Sequence, residues 1–306
     1  MWDCIVVGGG AAGQSAALVL GRARRRVLLV DAGRQSNLAA GVVGGLLWQE
    51  EVAPADLYAA GHRQLGHFPT VEVHAGEVVD ARAEGTGFVV TLGDGTTAPA
   101  RRVLLAAGMD YTPPDLPGLE PLWGGAVFHC PFCHGWEVRE RALAALGPGP
   151  RLAHMALLLT MWSDDVVALT GGGAGPGPED LERLEAAGVR VDQRPVVGLE
   201  AEGERLTGVV FADGGALARD ALMAATDMRV RSVPAERLGV ATADSGYGPT
   251  GAITVDERQR TSVPGVFAAG DVTGALQQVS VAVAAGSTAG AMVVQSLLAE
   301  DHGLPG

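Results

Sequence analysis

Lysine is absent from this chain: all 22 of its cationic side chains are arginine. That excludes lysine Schiff-base chemistry and a phosphate-gripping P-loop lysine. Cysteine is scarce, with three in 306 residues, too few for a structural disulfide framework. Cys4 lies in the apolar stretch CIVV and reads as a small buried hydrophobe. No apolar run approaches a membrane span; the longest candidate, HMALLLTMW, is far too short. The opening MWDCIVVGGG has no basic leader and no cleavage site, which points to the cytoplasm. A basic patch is also missing, and with a net charge of −13 this argues against nucleic acid or an anionic membrane as partner. The one arginine cluster, between Arg22 and Arg26, falls where a first helix ends, and cations suit that end of the helix dipole.

What remains is a glycine-rich, globular composition of a length that suits two domains. The 45 glycines carry no collagen-like period and gather at the ends of apolar runs, as turn and phosphate-loop glycines do. The first thirty residues read strand, glycine turn, helix, strand. The strand CIVV runs into Gly8-x-Gly10-x-x-Gly13, a stretch of alanine and leucine follows, and RVLLVD ends at Asp31, 18 residues past Gly13. In that context the pattern reads as a dinucleotide fingerprint. Gly8 makes the tight turn, Gly10 admits a pyrophosphate to the backbone, and Gly13 lets helix and strand pack. Ala11 and Ala12 are small residues at the helix N-terminus, where free N–H groups hold phosphate. Asp31 is placed to accept from an adenosine ribose.

Farther along, Gly85-Thr86-Gly87 and Gly93-Asp94-Gly95 mark hairpins between short strands, and the buried strand VLLAAG ends at Ala107 and Gly108. Three prolines follow, as suits a domain crossover. A second βαβ-like region comes next, and a final section carries VFAAGD and a closing helix of small residues. The plan is α/β: two Rossmann-like, three-layer ββα domains, with residues 1–115 and 246–306 forming one and 116–245 inserted into it.

Cys130 and Cys133 form a Cys-x-x-Cys pair followed by His134. The pattern also serves for c-type haem, but neither an export signal nor a distal ligand is evident. Zinc needs a second ligand pair; His129, His134 and His154 are present, but no other cysteine pair. No metal site is expected, and a redox dithiol that stores two electrons is the reading left.

Together, VVGGGAAG, LLAAG, the insert with its Cys-x-x-Cys, and TSVPGVFAAGD followed by QQV resemble the low-molecular-weight thioredoxin reductase family over essentially the whole chain. The resemblance implies FAD as cofactor, a homodimer, and a pyridine-nucleotide-type insert. It places Gly8, Gly10, Gly13 and Asp31 on the ADP part of FAD. Gly270 and Asp271 would lie at the ribityl chain, and Gln278 and Val279 at the flavin pyrimidine edge. It also implies that Cys133 faces the flavin and Cys130 meets the substrate.

Two departures refine it. The nucleotide turn of the insert reads Gly147-Pro148-Gly149-Pro150-Arg151-Leu152: Pro150 has no N–H for a phosphate, and Leu152 stands where a small residue is needed. The tract from Thr170 to Gly175 lacks an arginine for a 2′-phosphate and an acid for a ribose, which leaves Arg151 as the one residue to reach a phosphate. The histidine after the second cysteine resembles the dithiol oxidases of gliotoxin- and holomycin-type pathways, where the reductases have aspartate. The resemblance thus implies oxidation of a small-molecule dithiol with O2 as acceptor and H2O2 as product. His134 is then a base, or else a structural residue. An NADPH-dependent reductase and a flavin redox sensor without turnover are the alternatives. Phe132, Trp136 and Trp48 are divided between pocket and core, and Glu137 reads as a solvent or dimer-interface residue.

Overall fold

The computed structural model describes residues 1–231, 233–244 and 248–304. The chain forms two compact units, one of residues 1–38, 46–110 and 228–306, the other of 39–45 and 111–227.

The first unit opens with β1 (Trp2–Val7), α1 (Ala11–Arg22), β2 (Val27–Asp31), α2 (Pro54–Leu65) and β3 (Val71–Ala75). A meander follows: β4 (Val78–Glu84), β5 (Gly87–Leu92) and β6 (Thr97–Leu105). The parallel strands run β3-β2-β1-β6, and β5 and β4 continue the sheet antiparallel. Successive strand residues face opposite sides, and both sides are buried. Ile5, Val7, Leu28, Val30, Val103 and Leu105 point into a core shared with the meander residues Phe88 and Val90. Cys4, Val6, Val27, Leu29 and Leu104 point into a second core beneath α1. The glycine turns expected between the meander strands are present, with Gly85 and Gly95 at positive φ.

The second unit contains β7 (Val127–Phe128), α3 (Pro131–His134), β8 (Leu143–Leu146), α4 (Gly149–Leu159), β9 (Val166–Leu169), α5 (Pro178–Ala186) and β10 (Arg190–Asp192). A three-stranded antiparallel layer, β11 (Val196–Glu202), β12 (Arg205–Phe211) and β13 (Ala216–Leu217), precedes β14 (Ala221–Ala224). The main sheet is parallel throughout, in the order β10-β9-β8-β14-β7. Leu143 and Ala145 face α4 and Leu184 of α5, while Ala144 and Leu146 face Leu206, Val209 and Phe211 of the antiparallel layer. The second unit is thus a helix layer, a parallel sheet and a β layer, whereas in the first the antiparallel strands β5 and β4 belong to the main sheet.

The expected return at 245–246 lies partly outside the described residues, and the first unit already resumes at Met228. The reason is α6 (Val233–Leu238): Ala235 and the following Val240 pack into the core of the first unit. The chain then adds β15 (Val266–Ala268), parallel to β6, and closes with α7 (Val279–His302).

α7 corrects the sequence reading of apolar runs, since its 24 residues are long and apolar enough to cross a membrane. Alanines and glycines carry that hydropathy, so no bulky run stands out. Within the unit, Gly286 and Gly290 press against the backbone of α1: a Cβ at Gly286 would lie 2.1 Å from the Ala12 carbonyl oxygen.

Candidate functional site

In the first unit, the end of β1 turns sharply into α1. Gly8 has φ +110°, and a Cβ there would lie 2.3 Å from the Ala106 carbonyl oxygen; one at Gly13 would lie 1.8 Å from the carbonyl oxygen of Gly8. Glycine is therefore required at both positions. Gly10 caps α1 without a side-chain hydrogen bond, so the first-turn N–H groups, including those of Ala11 and Ala12, have no intrahelical partner. A Cβ on Gly10 or Gly108 would meet no backbone and would fill the space beside the turn. Such a cradle of free N–H groups and absent side chains fits the pyrophosphate of a dinucleotide.

The elements flanking this turn carry the other expected residues. Asp31 ends β2 with its carboxylate nearly buried; Oδ1 accepts from Gly33 N–H and from Gln35 Nε2, each at 2.9 Å, and Oδ2 lies 3.2 Å from His62 Nε2. Ala107 and Gly108 follow β6, with Gly108 at φ +72°. Gly270, at φ +80°, comes against Ala12, where a Cβ would lie 2.8 Å from the alanine methyl, and Asp271 starts the next turn. Gln278 is the N-cap of α7 and Val279 its first residue.

Two contributors carry no signal in the sequence. Gly9 is required because a Cβ would strike the Asp31 carboxylate at 2.2 Å. Tyr58 of α2 is buried and donates to Asn37 Oδ1 at 2.8 Å. Burial, with smaller contributions from the charges of Asp271 and Asp31, pushes its phenol up to about 12. An aromatic residue on the inner face of a helix reads simply as core.

In the second unit, β7 delivers the chain to the redox turn. Cys130 caps the single turn α3, and it is bonded to Cys133 with the Cα atoms 5.4 Å apart. The Cys130 carbonyl accepts from the N–H groups of Cys133 and His134, both at 3.2 Å. Gly135 continues the turn, where a Cβ would strike the Pro131 carbonyl oxygen at 2.5 Å. The His134 ring stacks on Phe128 at 5.5 Å, and its Nε2 lies 3.1 Å from the Gly124 carbonyl oxygen. Burial lowers the pKa of His134, opposed by the carbonyls of Cys130 and Gly124 and by the charge of Glu137.

His129, just before the first cysteine, packs against Tyr111 at 4.5 Å and Trp123 at 5.9 Å. Burial foremost, then the charges of His134 and Arg151, push its pKa down to about 4. Phe132 and Trp136 are 55% and 61% exposed, and Trp48, in the first unit, is 88% exposed, so none of the three is core. Glu137 is half-buried, with one carboxylate oxygen turned inward.

The nucleotide turn of the insert is closed by its own chain. Gly149 N–H, at the start of α4, donates to the Ala174 carbonyl at 2.9 Å, and Pro150 has no N–H to offer. Leu152 N–H is committed to the Pro148 carbonyl, and its side chain is fully buried against the sheet. Arg151, the residue left to reach a phosphate, donates instead to the Thr226 carbonyl at 3.0 Å.

The profile of a family described as pyridine nucleotide-disulphide oxidoreductase matches residues 2–286. The chain is 30% identical to thioredoxin reductase tcpT of Claviceps purpurea, over 98% of this chain and 96% of that protein. Among solved structures it is similar to HlmI, with a TM-score of 0.93 and 36% identity over 98% of this chain and 93% of that one. An oxidoreductase from Agrobacterium tumefaciens is comparably similar, with a TM-score of 0.90 and 35% identity over 97% and 98% of the two chains.

Proposed function

Because the chain belongs to the pyridine nucleotide-disulphide oxidoreductase family, and is thus an FAD-binding oxidoreductase, we propose that it is a dithiol oxidase. It closes an intramolecular disulfide in a small-molecule dithiol of the natural-product type through Cys130 and Cys133, with dioxygen as final acceptor. The chain acts as a homodimer, as thioredoxin reductase-like enzymes typically do.

The observation that carries this reading is the closed start of α4. A pyridine nucleotide is held by N–H groups at a helix N-terminus and by charge-assisted contacts to its phosphates. Here the first N–H is taken by Ala174, the second residue is proline, and Arg151 is engaged with Thr226. With no grip on a nicotinamide donor, the electrons that reduce the disulfide come from a thiol.

The redox turn supplies the parts. His134 takes the proton of a substrate thiol, and the thiolate attacks Cys130 Sγ; the Cys130–Cys133 bond breaks and Cys133 leaves as thiolate. The second substrate thiol, losing its proton, attacks the substrate sulfur of the mixed disulfide, and Cys130 is expelled. The substrate has lost two electrons and two protons and leaves as a cyclic disulfide; the cysteine pair has gained both electrons. FAD, whose pyrophosphate the turn of Gly8, Gly10 and Gly13 would hold, would supply the two-electron acceptor that restores the protein disulfide and passes the electrons, with two protons, to dioxygen as hydrogen peroxide.

The test is anaerobic mixing of the purified flavoprotein with NADPH, NADH or dithiothreitol while the oxidised-flavin absorbance is followed. Bleaching by the dithiol alone, with colour and peroxide returning on admission of air, is expected. Rapid bleaching by NADPH would make the protein a reductase.

A further inference from the structure

Asp31 ends β2 beside the dinucleotide turn, and its own chain already takes most of what it can accept. A carboxylate has about four lone-pair positions and, when ionised, no proton to give. Oδ1 has both of its positions filled, by Gly33 N–H and Gln35 Nε2, each at 2.9 Å, and His62 Nε2 stands 3.2 Å from Oδ2. About one position is left, on Oδ2. The adenosine ribose of FAD carries two neighbouring hydroxyls, and each loses a water partner when it is bound. As it is held here, the carboxylate can receive one of them and not both.

Gln35 supplies the acceptor that the carboxylate lacks. Because Asp31 only accepts, the amide of Gln35 must offer it Nε2, and the carbonyl oxygen Oε1 is left without a hydrogen-bond partner among the described residues. The side chain lies at the turn itself. A Cβ at Gly10 would come 3.7 Å from Gln35 Cγ, and one at Gly9 would come 2.4 Å from Asp31 Oδ2, so the two polar groups stand against consecutive glycines. The loop that carries Gln35 is pinned on both sides of it: Arg231 donates to the Arg34 carbonyl, and Ser36 Oγ donates to the Met109 carbonyl. An amide held in this way before a ligand arrives costs little ordering on binding.

We propose that Gln35 is a second ribose ligand of the cofactor site: Oε1 accepts from one hydroxyl of the adenosine ribose, and Asp31 Oδ2 accepts from the other. The diol is divided between an amide and a carboxylate, and the hydrogen bond from Nε2 to Oδ1 fixes the spacing of the two acceptors. Gln35 thereby makes the site selective for a ribose that keeps both hydroxyls. The inference rests on FAD lying at the turn of Gly8, Gly10 and Gly13 with its ribose at Asp31. It is independent of the dithiol oxidase reading.

The experiment strips the flavin from the full-length protein and titrates it back, following flavin fluorescence, with FAD and with its 2′-deoxyadenosine and 3′-deoxyadenosine forms. In the wild type each deoxy form should bind about tenfold more weakly than FAD. Gln35→Met keeps the length of the side chain and removes the acceptor. It should weaken FAD about tenfold and bind one of the two deoxy forms as well as it binds FAD, while the other deoxy form keeps its penalty. Gln35→Glu, which retains an acceptor oxygen, should restore the discrimination between FAD and that deoxy form. Penalties for both deoxy forms that are the same in Gln35→Met as in the wild type would overturn the role of Gln35 and leave the ribose with Asp31. Wild-type protein that binds all three flavins equally would overturn the placement of the ribose at Asp31, and the role of Gln35 with it.

Discussion

The backbone N–H of Gly149 donates to the carbonyl of Ala174 across 2.9 Å, so the first turn of α4 holds the chain's own backbone where a dinucleotide domain holds phosphate. The resemblance implies two further charge-assisted contacts that residues 170–175 do not offer, each worth about 1.5–3 kcal/mol. Affinity for NADPH or NADH should therefore be lower by about two to four decades than in an intact site. Fluorescence titration of the oxidised protein measures it directly, and a micromolar Kd for either nucleotide would sink the assignment.

Leu152 supports the same conclusion from the packing side. It is 0% exposed and lies among Leu143, Met155 and Leu159, where an intact turn would have a small residue to bring helix and strand together. Leu152→Ala should create a cavity and cost about 2–5 kcal/mol of stability. It should not confer nucleotide binding, because Pro150 and the Ala174 carbonyl remain. Denaturant unfolding and the nucleotide titration together check this; a stable variant that binds NADPH would show that Leu152 was the block.

How much of this could be read from sequence depended on whether the constraint was local. The steric demands at Gly8 and Gly13 are legible because they are confined to one strand–turn–helix, whereas Gly270 and Asp271 are proposed on the family resemblance. The missing N–H of Pro150 could also be read, since it is covalent. Gly9, Tyr58 and Ala174 could not: each matters through an atom far along the chain, Asp31, Asn37 or Gly149. The return to the first unit at Met228 carries no local mark in the sequence for the same reason, being set by where Ala235 and Val240 find a core.

Cys130→Ser and Cys133→Ser should each abolish dithiol oxidation while the protein stays yellow. The disulfide lies in the second unit, whereas the glycine turn that fits the dinucleotide lies in the first. Flavin content after gel filtration and oxygen uptake with dithiothreitol separate the two properties. Loss of FAD from either variant would contradict the placement of the cofactor on the first unit.

Gly13→Ala should have the reverse effect. The added methyl would lie 1.8 Å from the Gly8 carbonyl oxygen, so the turn must open and the cradle at the start of α1 is lost. The variant should purify without flavin and with the Cys130–Cys133 disulfide intact by thiol assay. A yellow Gly13→Ala protein with wild-type flavin content would refute the assigned cradle.

His129 should make the second unit acid-sensitive in a defined window. Its folded pKa is pushed down to about 4 by burial and by its cationic neighbours, against an ordinary value of 6.5. Between those values the unfolded chain binds the proton and the folded one does not, so stability rises with pH. The contribution is fully present above pH 6.5 and is lost as the pH falls toward 4, a few kcal/mol in all. His129→Phe keeps an aromatic ring against Tyr111 and Trp123 and removes the titrating group. Thermal unfolding across this range should show a Tm that falls steeply with acid in the wild type and more gently in His129→Phe. Parallel Tm curves for the two proteins would mean that the ring is already protonated in the folded state.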